Sequence, residues 1–368
     1  MTTVSKAEAE ESLLELKELA RSNNLVVLDT IVQHRSQIDP KYVLGKGKLN
    51  DFIIRTLQLG ADLIIFDREL TPAQIRSISD ITELKIIDRT QLILDIFAQR
   101  AKSNDGKIQV ELAQMSYLLP RLITKNTAMS RLTGGIGGRG PGETKLEINR
   151  RRVRDRINRL QKDLKAVCAH RSRQRMKRRK SGLPILSIIG YTNAGKSTLL
   201  NSLTNSSVTV EDRLFATLDP TTRRLRFPRD IEVVITDTVG FIKDLPKELI
   251  KAFHATLDEL KEADLFIHVV DISNPNFEEQ ILAVKKILSG LELDDKPTLL
   301  VFNKEDRADK EEVKNFCRFY DAVSISARDT STLRGLVERL QQIVLGSFPD
   351  GSETWKHAVK EFKKVGSV

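Results

Sequence analysis

The sequence predicts an α/β protein in three parts: a P-loop domain, preceded by a small α/β domain and an antiparallel two-helix hairpin. Three observations predict it. A buried-strand run, Pro184 to Ile189, leads straight into GYTNAGKS (Gly190–Ser197) and a helical Thr198-Leu-Leu. Before residue 104, β-rich runs alternate with helically spaced ones. Between the two, apolar residues recur at spacings of four and three, the stripe of a helix that packs on another helix.

In the first part, residues 1–20 read as a charged helix gripped by Leu13, Leu14, Leu16 and Leu19. Leu25–Val32, Asp62–Phe66 and Leu84–Ile87 are expected strands. Lys48–Leu59, Pro72–Ile81 and Arg89–Arg100 are expected helices, with Thr71-Pro72 a good helix opening. Gly45-Lys46-Gly47-Lys48 is too short for a nucleotide loop and reads as a turn into a helix. These elements make an N-terminal α/β region, 1–104.

The second part, 105–180, is the hairpin. Ile108, Leu112, Met115, Leu119 and Leu122 form one stripe, which Pro120 should end. Leu146, Val153, Ile157, Leu160, Leu164 and Val167 form the other, on a helix from about Glu143 to Lys180. At ~1.5 Å per residue that helix is roughly 55 Å long. Its charge is extreme. Fifteen Lys or Arg against Asp155 and Asp163 give +13 between Arg150 and Lys180, so the rest of the chain sums to −3 of the total +10. Such a block suits a phosphate-rich partner, nucleic acid above all, a solvated helix face being the alternative. The joining loop holds six of the nineteen glycines, GGIGGRGPG (Gly134–Gly142), with Lys125, Arg131, Arg139 and Lys145 around it. It is either a phosphate-binding loop or a flexible linker.

Composition bounds the rest. At 368 residues the chain has length for two or three cores, and 40% hydrophobic with 30% charged residues is a soluble globular profile. The apolar runs Leu183–Gly190 and Leu265–Val270 fall far short of the ~20 residues of a membrane helix. The acidic start (Glu8, Glu10, Glu11) carries no signal core, and Cys168 and Cys317 make neither a disulfide framework nor a zinc cluster. A cytoplasmic protein without membrane insertion is expected.

The third part, 181–345, carries the chemistry. Gly190 and Gly195 let the backbone wrap a phosphate, with Tyr191, Thr192, Asn193 and Ala194 supplying N–H groups between them. Lys196 reaches the β/γ-phosphates; Ser197, beside Thr198 at the helix start, offers its hydroxyl to Mg²⁺. Asn303, Lys304, Glu305 and Asp306 follow the buried run Thr298–Phe302. Asp306 can accept from both N1–H and the N2 amino group of guanine, an arrangement adenine lacks. Ser326, Ala327 and Arg328 would bring backbone N–H groups to the guanine oxygen. Asp237, Thr238, Val239 and Gly240 follow another apolar strand, Asp237 facing Mg²⁺ and Gly240 the γ-phosphate. Between the first two elements, Phe215, Ala216, Thr217, Leu218 and Asp219 form a loop whose Thr217 is the expected second Mg²⁺ ligand, with Thr221 and Thr222 as rivals. This order and spacing specify a GTPase, with Lys196, Thr217 and Gly240 nearest the reacting phosphate. Phe241 stands where many GTPases carry a water-orienting glutamine, so hydrolysis is expected to be slow until a partner or another residue helps. Arg213, Arg223 and Arg224 are candidates in cis. Asn193 resembles the asparagine with which potassium-activated GTPases hold K⁺.

These strings together resemble the HflX family: GGIGGRGPGETKLE (Gly134–Glu147), QVELAQMSYLLPRL (Gln109–Leu122), GYTNAGKS, LFATLDPTTR (Leu214–Arg223) and DTVGFI (Asp237–Ile242). The resemblance runs from about residue 22 to 345. It implies a factor of the large ribosomal subunit and its rRNA, with hydrolysis stimulated by the ribosome and a role in splitting or rescuing ribosomes; a monomer is the separate expectation. It also implies Mg²⁺ on Thr217 and rRNA contact by the glycine-rich loop. Some relatives carry a sizeable C-terminal domain, whereas 346–368 reads as a short tail with Trp355 and Phe362. Two other classes stay open: an RNA-remodelling NTPase, and a regulatory GTP-binding interaction protein.

Overall fold

The computed structural model describes residues 6–35, 37–122, 145–180, 182–204, 214–215, 221–227, 232–243, 245–253 and 260–347, and leaves undescribed the side chains of 6–7, 145, 168 and 170–180. The glycine-rich loop, Arg213, Ala216 to Asp219 and the C-terminal tail lie outside those residues. The chain divides into two compact units, each taken by itself below. The first holds 1–99, 104–166 and 246–252; the second holds 100–103, 167–245 and 253–368.

In the first unit, α1 (Lys6–Ser22) is followed by α2 (Lys46–Gln58), β1 (Leu63–Phe66), α3 (Pro72–Ser79), β2 (Lys85–Asp88) and α4 (Arg89–Arg100). β1 and β2 pair in parallel, Leu63 opposite Lys85 and Phe66 opposite Asp88. Their core joins Ile64 and Phe66 to Leu49 and Ile53 of α2 and Ile78 of α3. α3 opens where Thr71-Pro72 predicts it. The Thr71 hydroxyl accepts from Gln74 N and the Gln74 side chain returns to Thr71 N, so two otherwise orphaned donors are satisfied. The expected strand Leu25–Val32 does not form. Residues 26–35 form no regular element, no backbone–backbone hydrogen bond ties them to any described residue, and Val26 is 84% exposed. An alternating apolar pattern makes a strand only where a neighbour completes its ladder.

α5 (Asn104–Leu118) stops before a 3-10 turn, Leu119–Arg121, where Pro120 removes a donor. α6 runs from Lys145 to Lys180. Arg156 grips Glu111 with two bonds of 2.6 and 2.7 Å, and Arg150 donates to Leu122 O at 3.3 Å. As the chain advances from 111 to 122, its partner on α6 retreats from 156 to 150, so the two helices are antiparallel.

The second unit is a six-stranded sheet, β4-β5-β3-β6-β7-β8. Its strands are β3 (Ile185–Gly190), β4 (Thr221–Arg226), β5 (Glu232–Asp237), β6 (Leu265–Asp271), β7 (Thr298–Asn303) and β8 (Val323–Ser324). All neighbours are parallel except β4 and β5. Leu186, Ile188, Ile235, Ile267, Val269 and Val301 bury one face with Leu199 and Leu200 of α7 (Lys196–Thr204) and Leu336 and Leu340 of the helix Leu333–Ser347. β3 lies between β5 and β6, so the loop after it opens at the carboxyl ends of three parallel strands, the place where α/β sheets bind ligands. Among the described residues, no helix is long and apolar enough to cross a membrane.

Candidate nucleotide site

Two glycines make the P-loop possible. Gly190 has φ +149°, and a Cβ there would stand 2.2 Å from Val269 O. Gly195 has φ +93°, and a Cβ would stand 2.2 Å from Asn303 Nδ2. Backbone conformation and space therefore both demand glycine. Between them Asn193 takes φ +62°, which asparagine tolerates better than most residues.

Lys196 and Ser197 begin α7. Lys196 is buried, and its Nζ donates to Tyr191 O at 2.7 Å. Burial lowers its pKa to about 8, a shift opposed by the Asp237 carboxylate. Ser197 Oγ donates to Asp237 Oδ2 at 2.7 Å. Two hard oxygens from separate elements thus stand side by side, the donor type Mg²⁺ takes, and they fit that ion.

DTVG follows β5. Thr238 Oγ1 donates to Ile188 O at 2.7 Å, which fastens this loop to β3. Gly240 sits tight: a Cβ would stand 2.9 Å from Thr192 Cγ2 and 3.1 Å from Lys196 Nζ. Phe241 is buried, its N–H bonded to Gly190 O at 3.1 Å and its carbonyl accepting from Thr192 N at 2.7 Å. Tyr191 Oη accepts from Lys243 N at 2.8 Å. The residue in the usual glutamine position is thus apolar and laced to the P-loop.

The third loop is joined to the first by one side chain. Asn303, buried at the end of β7, donates to Ala194 O at 2.7 Å and accepts from Ala327 N at 2.9 Å. Lys304 has φ +64° and its Nζ reaches Asp271 Oδ2 at 2.6 Å. Glu305 and Asp306 lie in a 3-10 turn, and Glu305 N bonds to Ile325 O at 3.2 Å. Ser326 N donates to Thr332 Oγ1 at 3.0 Å, while Arg328 is exposed.

The structure thus brings together Gly190 to Ser197, Asp237 to Gly240, Asn303 to Asp306 and Ser326-Ala327. Phe215 is buried with φ +58°, just before the segment that holds Thr217. Thr221 and Thr222 stand in β4, opposite Asp237 and Thr236. Arg223 and Arg224 are exposed on the same strand. Three participants are not apparent from motifs: Asp271 under Lys304, Lys243 on Tyr191, and Ser202, whose Oγ donates to Ala327 O at 2.6 Å. Asp271 has a signal, an acid ending the apolar run LFIHVVD; the other two depend on folding.

A P-loop on the central strand, an aspartate beside its serine, and an NKED loop tied to the P-loop define a P-loop GTPase. Comparison with known proteins agrees. Residues 185–304 match a family model described as "50S ribosome-binding GTPase", 10–98 one described as "GTP-binding GTPase N-terminal", and 100–178 one described as "GTP-binding GTPase Middle Region". The GTPase HflX of Alkalihalophilus pseudofirmus is 48% identical over 92% of this chain and 80% of its own length. That of Escherichia coli is 43% identical over 90% and 79%. A GTP-binding protein from Sulfolobus solfataricus, crystallised with GDP, is 25% identical with a TM-score of 0.46, covering 92% of this chain and 97% of that one. The chain belongs to the HflX family of GTPases: it binds guanine nucleotides and hydrolyses GTP.

Proposed function

We propose that this protein is a cytoplasmic, ribosome-associated factor that binds the large ribosomal subunit in its GTP form and acts in splitting or rescuing ribosomes. The carrying observation is the basic helix α6, 36 residues long, with its net +13 between Arg150 and Lys180. The family description that names the 50S subunit supports the same partner. A rod of that charge attracts phosphate at a distance, and the GGIGGRGPG loop before it extends the contact to rRNA.

In this reading residues 1–104 and 105–180 form the ribosome-facing part, 181–345 the GTPase and 346–368 a tail. Lys196 and the N–H groups of the P-loop hold the phosphates, Asp306 reads guanine, and Gly240 meets the γ-phosphate. Ser197 and Thr217 would hold Mg²⁺, with Asp237 beside Ser197, and a bound ion would supply positive charge to the β- and γ-phosphates. Asn193 is the residue that would hold K⁺, if this site takes one as potassium-activated GTPases do. Phe241 offers no group to a water, so the ribosome completes the site and hydrolysis is slow without it.

Sedimentation with purified ribosomes and separated subunits, in a non-hydrolysable GTP analogue or GDP, tests this reading. Co-migration with the large subunit in the triphosphate state, with GTPase stimulated about tenfold or more, is expected (about 1.4 kcal/mol off the barrier). Equal or absent binding in both states without stimulation moves the assignment to a regulatory GTP-binding protein, the reading the laced Phe241 favours second.

A further inference from the structure

Among the described residues around the P-loop, buried hydroxyls have found partners, with one exception. Ser187 Oγ pairs with Thr236 Oγ1 at 2.8 Å, Thr238 donates to Ile188 O at 2.7 Å, and Ser197 donates to Asp237 at 2.7 Å. Thr192 is also buried, at 6% exposure, yet its Oγ1 has no hydrogen-bond partner. Leaving a buried hydroxyl unsatisfied is costly, and such groups are retained where something else uses them.

Its surroundings say what that is. The backbone of Thr192 is tied to the DTVG loop by its N–H bond to Phe241 O at 2.7 Å. Thr192 Cγ2 and Lys196 Nζ stand 2.9 and 3.1 Å from where a Cβ on Gly240 would be. The Thr192 methyl, Lys196 Nζ and Gly240 therefore line one small space, and the Thr192 hydroxyl branches from the same Cβ as that methyl. In a P-loop the lysine serves the β- and γ-phosphates, and here the glycine of DTVG closes the same space from the other side. The lysine also serves the β-phosphate, whereas the γ-phosphate is the group that meets the DTVG glycine in a P-loop GTPase.

We propose that Thr192 Oγ1 donates a hydrogen bond to the terminal phosphate and is the side chain by which this site favours GTP over GDP. This rests on the P-loop being the nucleotide site, and deepens that reading.

The test is equilibrium binding of GDP and of a non-hydrolysable GTP analogue to the full chain carrying Thr192→Val or Thr192→Ser. Valine keeps the shape and removes the hydroxyl. It is expected to lower affinity for the triphosphate analogue about tenfold, one neutral-to-charged hydrogen bond, while GDP affinity stays put. Serine is expected to restore the triphosphate preference. Equal losses for both nucleotides would mean the threonine only shapes the loop, and no loss for either would mean the hydroxyl is idle; each overturns the proposal. Melting of the unliganded variants reads any folding defect separately. Lys196→Ala, expected to lose both nucleotides, distinguishes the two levels: if it binds both normally, the site assignment itself fails.

Discussion

Asp88 and Asp237 occupy the same place in two different sheets. Each is the last residue of a parallel strand, β2 in the first unit and β5 in the second, and each is buried to within 1% of full enclosure. Their partners differ in kind. Asp88 accepts from Leu70 N at 2.8 Å, Gln91 N at 2.8 Å and Tyr117 Oη at 2.6 Å. These come from a loop, the first turn of α4 and the last turn of α5, so the carboxylate sews three segments together. Asp237 meets Ser197, at the start of the helix that follows the P-loop. One carboxylate serves architecture; the other faces the serine that would hold Mg²⁺ in the proposed site. Burial at a strand end does not separate the two roles, and the origin of the donors does.

The largest effect should come from breaking the architectural member. Asp88→Ala strands three donors, one of them the Tyr117 hydroxyl, and is expected to cost about 4 kcal/mol of stability by denaturant titration. Guanine-nucleotide affinity of the protein that remains folded should be unchanged. A loss of nucleotide binding without a loss of stability would erase the distinction drawn between the two aspartates.

A second effect sharpens the contrast inside the second sheet. His268 on β6 is buried, and burial, helped by the charges of Lys285 and Lys196, pushes its pKa from 6.5 down to about 3. The unfolded chain binds a proton below pH 6.5 that the native imidazole refuses. Stability from this residue is therefore complete above pH 6.5 and falls as the pH drops towards 3, by about 1.4 kcal/mol per unit. His268→Leu should flatten the acid limb of a melting-temperature profile. An unchanged limb would show that other groups control acid sensitivity.

The smallest effect is expected on the surface. Arg152 and Arg159 are exposed on α6. Replacing each with Gln should leave GTP binding and stability intact. It should reduce the slope of log affinity for ribosomal particles against log salt by about 0.7 to 0.9 for each phosphate no longer neutralised. An unaltered slope would take these arginines out of the interface.

Local chemistry is legible in the chain and distant partnership is not. GYTNAGKS, DTVG and NKED each need only a strand before them and a loop of fixed composition, so the chain itself displays them. The three-way tie at Asp88 joins residues 70, 91 and 117, and no spacing announces it. Nothing in the spacing of α5 sets Tyr117 apart, although its hydroxyl is anchored and Arg121 stacks on its ring at 3.5 Å. The expected strand at Leu25–Val32 fails for the same reason in reverse. Its pattern is right, but pairing is supplied by another segment or not at all. α6 is legible almost to its ends, 143–180 expected against Lys145–Lys180 found, because helical hydrogen bonds are made within the segment.

One amide side chain has a consequence for kinetics. Asn303 bonds to Ala194 O in the P-loop and to Ala327 N in the loop after β8, so one amide ties the two loops together. In the proposed site the two ends of the nucleotide would meet loops that Asn303 holds together. Much of the ordering entropy that flexible loops would surrender on binding has been given up during folding. Capture of the base and capture of the phosphates become a single event, and release must free both together. A ligand lacking either end forfeits that coupling, and so should leave far sooner than the missing half of its structure would by itself suggest.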